Sequence, residues 1–295
     1  MLEHTNSSSK PTSRTVILGA KGFVGTALTR RLENSDLRVL PLGRQEIDLL
    51  STTAADQLEA LLDPTDSLVI ISAKAPVKDH TMLSDNINMI SPICNVLQKV
   101  TPAQVIYISS DAVYSDSMEP LKETSPAEPG ALHGVMHLMR ELMLKSVCQS
   151  PLAILRPSLL YGLDDPHNGY GPNQFRRRVA EGKAIKLFGQ GEEQRDHVFI
   201  DDVGELIYRI LMHRSRGVLN IATGDVASFK DVANLVRSQF DESLEIEFSP
   251  RIGPMPHNGY RPFAIDACKQ IFPDFSYTSL ADGIAITHRN MMETL

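Results

Sequence analysis

A doubly wound α/β fold, with a parallel sheet covered by helices on both faces and a smaller C-terminal lobe, is predicted by three features of this chain. Short apolar runs alternate with segments of helical spacing, as in sheets buried on both faces. A glycine-rich turn joins the first run to the first helix. The 295 residues, 42% hydrophobic and 22% charged, suffice for a large core, built as one unit or as two halves sharing a cleft.

The elements follow in order. Residues 1–13 are rich in Ser, Thr, Asn and Pro and are expected to be a disordered tail, because they offer little apolar surface to bury. The first strand is 15–18, and the helix after its glycine turn runs to about residue 32. Strands are expected at 38–42, 67–72 and 104–109, separated by helices near 54–62 and 84–100. A helix over 132–147 and a strand at 152–155 continue the alternation. Residues 14–165 are read as one unit and 166–295 as mainly a smaller lobe, partly interleaved with it. The polar stretch 162–172, rich in Gly, Pro and Asp, suits a ligand-contacting loop. A helix near 202–212, a strand at 218–221 and a helix near 229–240 follow.

Composition excludes several function classes. The net charge of -7 supplies no broad positive field, so nucleic acid is not an expected partner. Arg176-Arg177-Arg178 is read as a solvated helix face. Cys94, Cys148 and Cys268 show no CxxC spacing and suit reduced packing thiols inside a cell. No stretch approaches the roughly 20 apolar residues of a membrane span, and the N-terminus lacks the apolar core of a signal peptide. A cytoplasmic protein with no membrane partner is the expectation.

Gly19, Gly22 and Gly25 lie between a β-branched strand and an amphipathic helix. In that context glycine permits positive φ and close approach of the backbone to a pyrophosphate, which the helix N-terminus attracts. The segment Leu40-Pro41-Leu42-Gly43-Arg44 carries no acid where one would hold the adenosine ribose of NAD. Arg44 could meet a 2′-phosphate, which leans the choice toward NADP, or stand as a solvated charge; both readings stay open.

The ordered set Gly19-x-x-Gly22-x-x-Gly25, Asp48-Leu49, Ser109-Ser110-Asp111-Ala112-Val113-Tyr114, Arg156-Pro157, Arg195-Asp196 and Asp201-Asp202-Val203 resembles the extended short-chain dehydrogenase/reductase family. These are nucleotide-sugar epimerases, dehydratases and reductases. The resemblance implies a Rossmann domain over 14–165 that binds NAD(P), a substrate-binding lobe over 166–295, and a nucleotide diphospho-sugar as small-molecule ligand. Cofactor contacts are implied at Gly19, Lys21, Gly22, Phe23, Val24, Gly25, Arg44, Asp48, Leu49, Ala73, Ser109, His137 and Pro157, and substrate contacts at Asn173, Arg195 and Arg261. For Arg195, an ion pair with Asp201 or Asp202 is the competing reading; for Asn173, a helix cap. Family dimerisation helices are similar to those at Ser84 and Leu132, which implies a homodimer without separate warrant from the residues.

The family places Ser or Thr at Ser110 and a Tyr-x-x-x-Lys pair on the next helix. Pro129, Gly134 and Glu141 fix the register, so His133 takes the tyrosine position and His137 the lysine position. Imidazole titrates near pH ~6.5 and needs no neighbouring cation to act at neutral pH, unlike a phenol at about 10. Three readings compete: an active enzyme with Ser110, Asp111, His133 and His137 in the catalytic site; a lapsed catalyst that binds without turnover; and a metal site, for which no third ligand is placed and none is assigned. Dehydratases similar to this chain carry Asp-Glu after the serine, whereas Ala112 follows Asp111 here and cannot accept a proton. Tyr114, Tyr161 and Tyr170 are read as packing or cleft wall, although Tyr170, on a loop, could supply a phenol.

Overall fold

The computed structural model describes residues 1–240 and 242–293; residue 241 and the last two residues of the expected 166–295 lobe lie outside the described residues. In chain order the first half runs β1 (Thr15–Leu18), α1 (Phe23–Glu33), β2 (Val39–Leu42), α2 (Ala54–Leu61), β3 (Ser67–Ile70), α3 (His80–Leu97), β4 (Gln104–Ile108), α4 (Leu132–Val147) and β5 (Leu152–Pro157). The second half contributes β6 (Leu159–Tyr161), α5 (Pro172–Ala180), β7 (Ile185–Phe188), β8 (Gln194–Phe199), α6 (Ile200–Met212), β9 (Gly217–Ile221) and β10 (Val226–Ser228). It ends with α7 (Phe229–Phe240), β11 (Ile246–Ser249), β12 (Tyr260–Arg261), α8 (Asp266–Ile271) and α9 (Leu280–Glu293).

The central sheet is six-stranded, in the order β2-β1-β3-β4-β5-β9, with every pairing parallel. Strand residues alternate between two cores. Ile17, Val69, Ile106 and Leu155 face one helical layer, and Val16, Leu68, Tyr107 and Ile154 face the other. Burial on both faces is why the strands read as continuous apolar runs. The predicted Rossmann-type doubly wound fold is therefore the one observed. After β1 the chain pairs first on one side, with β2, and then on the other, with β3, which opens a crevice beyond their carboxyl ends.

The lobe is a small sheet centred on β8, which pairs with β6, β10 and β12, beside a two-stranded β7–β11 ribbon. β9 comes from beyond residue 166 yet closes the central sheet against β5. Helix α3 starts four residues earlier than its apolar spacing indicates, because the Asp79 side chain caps it by accepting from Met82 N at 2.8 Å.

The expected disordered tail is corrected. Leu2 is buried in the core, and Glu3 and Arg216 exchange backbone hydrogen bonds of 2.8 and 2.9 Å. The His4 ring stacks on His213 with centroids 4.1 Å apart, and the Asn6 and Lys10 amides donate to the carbonyls of His213 and Met212. Two anchoring side chains among polar neighbours, together with backbone pairing, order a segment whose composition argues against it.

Candidate functional site

A cleft of about 1120 Å³ runs along the carboxyl ends of the strands, from the glycine turn to Arg195 and His257. That exceeds the ~300–1,000 Å³ of common single-ligand pockets and suits two ligands end to end. At the turn, Gly19 has φ +93° and Gly25 packs so closely that a Cβ would sit 2.2 Å from the Gly19 carbonyl oxygen. Helix α1 therefore starts directly at the cleft, and no side chain caps its N-terminus. Open N–H groups and the positive end of the helix dipole fit a pyrophosphate there.

Lys21, Phe23 and Val24 line this end, with Arg44, Asp48 and Leu49 on one side and Ala73 and Pro157 further along. Lys21 Nζ is held by Glu46 at 2.8 Å. Arg44 is 75% exposed at its side chain and has a long 3.4 Å contact to Asp48, which also accepts from Leu50 N at 3.1 Å. The guanidinium is free to meet an anion at the rim.

The Ser110 turn is fixed from beneath by a buried network. Ser109 Oγ donates to Glu141 at 2.6 Å, so its hydroxyl serves the scaffold although Ser109 lines the cleft. Glu141 takes both forks of Arg156, at 2.9 and 2.6 Å, and Arg156 reaches the Tyr114 hydroxyl at 2.9 Å. Ser110 Oγ accepts from Ala112 N at 3.1 Å and faces Asp111 at 3.3 Å. Gly134 brings α4 against this turn: a Cβ there would lie 1.9 Å from the Ala112 carbonyl oxygen. His133 consequently shares the cleft wall with Ser110.

His133 Nδ1 is 3.5 Å from the Val77 amide, and its ring stands edge-on to His137, centroids 4.8 Å apart. Burial pushes the His133 pKa down, with Asp111 partly opposing. His137 lies well below the ordinary imidazole value, because of burial first and then His133 and Arg140. Its Nδ1 is 2.8 Å from the Tyr107 hydroxyl. Burial thus disfavours the protonated form of both imidazoles, so neither brings the fixed cation of a lysine. Among the described residues, no group of three or more His, Cys, Asp or Glu side chains is gathered to hold a metal ion.

Arg195 lines the cleft, but its ion-pair partner is Glu193 at 3.4 Å; Asp201 pairs with Arg30, and Asp202 accepts from Thr278. Arg261 is 1% exposed and lies outside the cleft lining, its guanidinium taken by Asp111 at 2.7 Å and Asp116 at 3.2 Å. In this arrangement it holds the Asp111 carboxylate. Asn173 lines the cleft without capping a helix: Oδ1 accepts from Gly162 N at 2.9 Å and Nδ2 donates to the Leu160 carbonyl at 3.3 Å. Tyr170 lines the cleft; its hydroxyl oxygen accepts from Phe188 N at 3.1 Å, and its ring packs among Phe175, Phe188 and Phe229.

Sequence reasoning missed His257, which lines the far end of the cleft with Nδ1 2.6 Å from Asp116. It also missed Tyr107 behind His137. No local spacing signals either one.

A three-glycine turn opening an uncapped helix at the switch point of a parallel sheet defines a Rossmann-type dinucleotide-fold protein. The chain belongs to the NAD dependent epimerase/dehydratase family, whose sequence model matches residues 15–222. It is 24% identical over 281 residues to the uncharacterized UDP-glucose epimerase YtcB of Bacillus subtilis (strain 168), covering 91% of this chain and 87% of that protein. In fold it is similar to a GDP-L-fucose synthetase from Naegleria fowleri bound to NADP, at TM-score 0.85 and 16% identity, over 99% of this chain and 97% of the other. A UDP-glucose 4-epimerase from Thermus thermophilus, in complex with NAD, superposes at TM-score 0.83 and 20% identity, over 96% and 100%.

Proposed function

We propose that the protein is an NAD(P)-dependent epimerase or reductase acting on a nucleotide diphospho-sugar, with Ser110 and His133 as its acid–base pair. The observation that carries this reading is one continuous cleft that holds the uncapped glycine turn at one end, Ser110 and His133 midway, and Arg195 at the other. Family membership and relatives named for UDP-glucose and GDP-L-fucose chemistry support the ligand class. The cofactor, bound along Gly19–Gly25, supplies hydride acceptance and donation. Ser110 hydrogen-bonds the reacting sugar oxygen, and a neutral His133 takes or returns its proton. Arg195 suits a diphosphate because its planar fork makes parallel charge-assisted bonds. Asp111, clamped by Arg261, orders the turn that carries Ser110.

The test is direct. Purified protein with NAD(P)(H) is offered UDP-, GDP- and dTDP-sugars, and nicotinamide absorbance and product composition are followed. Turnover is expected; His133→Ala abolishes it and leaves cofactor affinity nearly intact, and turnover that survives this change removes His133 from the mechanism. A second reading, binding without turnover, is favoured by the absence of a cation at His137. Gain of activity in the His133→Tyr/His137→Lys variant of an inert parent would establish it.

A further inference from the structure

Tyr107 lies on β4, fully buried, on the sheet face that packs against α3 and α4. Its hydroxyl is 2.8 Å from His137 Nδ1, and among the described residues this is the one hydrogen-bond partner it has. Two assignments of the proton are conceivable. If Nδ1–H donated to the phenol oxygen, the phenol hydrogen would need another acceptor in a dry site. Among the described residues no acceptor other than His137 lies within hydrogen-bond reach of it, and the Arg140 guanidinium over the Tyr107 ring, 5.3 Å from its centroid, is a donor only. If the phenol donates to a bare Nδ1, no buried donor is orphaned, and the desolvation penalty of an unmet hydroxyl is avoided. A doubly protonated ring is disfavoured by burial and by the Arg140 charge.

We infer that Tyr107 is a positioning residue that locks His137 as the Nε2–H tautomer. With Nδ1 taken, Nε2 is the edge left to the cleft, whose wall includes this ring. A neutral N–H donor of fixed orientation thus stands where relatives of this family carry a lysine. Resting on the functional reading above, that N–H donates to the nicotinamide ribose hydroxyls. Such an arrangement substitutes preorganisation for charge, because a rotamer and a proton position are both set before the ligand arrives.

Long-range proton–nitrogen NMR correlation on the ligand-free protein reads the tautomer directly, with His137→Gln identifying the signals. Expected is an unprotonated Nδ1 and a protonated Nε2. The reverse pattern in the unaltered protein overturns the inference, and this measurement needs no folded variant at 107. In Tyr107→Phe the tautomer preference is expected to relax and affinity for NADH and NADPH, followed by nicotinamide fluorescence, to fall about tenfold. An unchanged tautomer in that variant also overturns it. Should the unaltered protein bind neither nucleotide while showing the expected tautomer, the functional reading and the ribose assignment fall, and the Tyr107–His137 pairing stands.

Discussion

Arg44 is the residue at which we propose that the choice between NAD and NADP turns. A carboxylate at the end of β2 would hold ribose hydroxyls, and none is present; instead an exposed guanidinium, loosely tied to Asp48 at 3.4 Å, borders the cleft. So loose a surface pair is worth little and yields readily to a phosphate, to which arginine bonds in parallel. Arg44→Ala is therefore expected to weaken NADPH binding by about tenfold, one charge-assisted contact, and NADH binding by much less. Titration of both nucleotides into both proteins checks this; equal losses would assign Arg44 to the solvated surface. His133 and His137 illustrate the same dependence on surroundings. Similar in sequence terms, they differ in that His133 faces Asp111 whereas His137 is closed in by Tyr107 and Arg140.

Among the elements, α4 and the Ser110 turn function as a pair. Gly134 lets the helix backbone approach Ala112 to a distance that no side chain permits. Gly134→Ala gains helix propensity yet must push the turn away, and overpacking of this kind costs about 1–3 kcal/mol. A lower urea midpoint with loss of turnover is the expected outcome; a midpoint at or above that of the parent would show that the turn yields freely. The elements also show what the sequence can and cannot convey. β1 to β5 were legible because strands buried on both faces leave uninterrupted apolar runs, and the glycine turn and Ser110 segment because each is built from neighbours in the chain. The lobe strands β6, β10 and β12, two to three residues long, leave too short a pattern to read. The roles of Tyr107, Asp116 and His257 arise only when residues 30 to 150 positions apart meet, as Tyr107 does with His137 and Arg261 with Asp111.

Across the whole molecule, burial of imidazoles couples folding to acid. Desolvation is the leading cause of lowered pKa values at His4, His133, His137, His197 and His257, with His197 brought to about 3. These groups are spread from the docked N-terminal segment through the cleft to the lobe. In the unfolded chain each titrates near ~6.5. As pH falls through that value the unfolded state takes up protons that the folded state refuses, so unfolding is favoured, and the loss continues until the folded pKa is reached. His197, with its folded pKa at about 3, removes about 2 kcal/mol between pH 6.5 and 5, and the others act in the same direction. Urea midpoints are thus expected to be level above pH 7 and to fall steeply below 6.5, and His197→Phe should flatten part of that slope. A stability profile that is level down to pH 5 would mean that these rings take up protons while folded, and that their burial does not couple folding to acid.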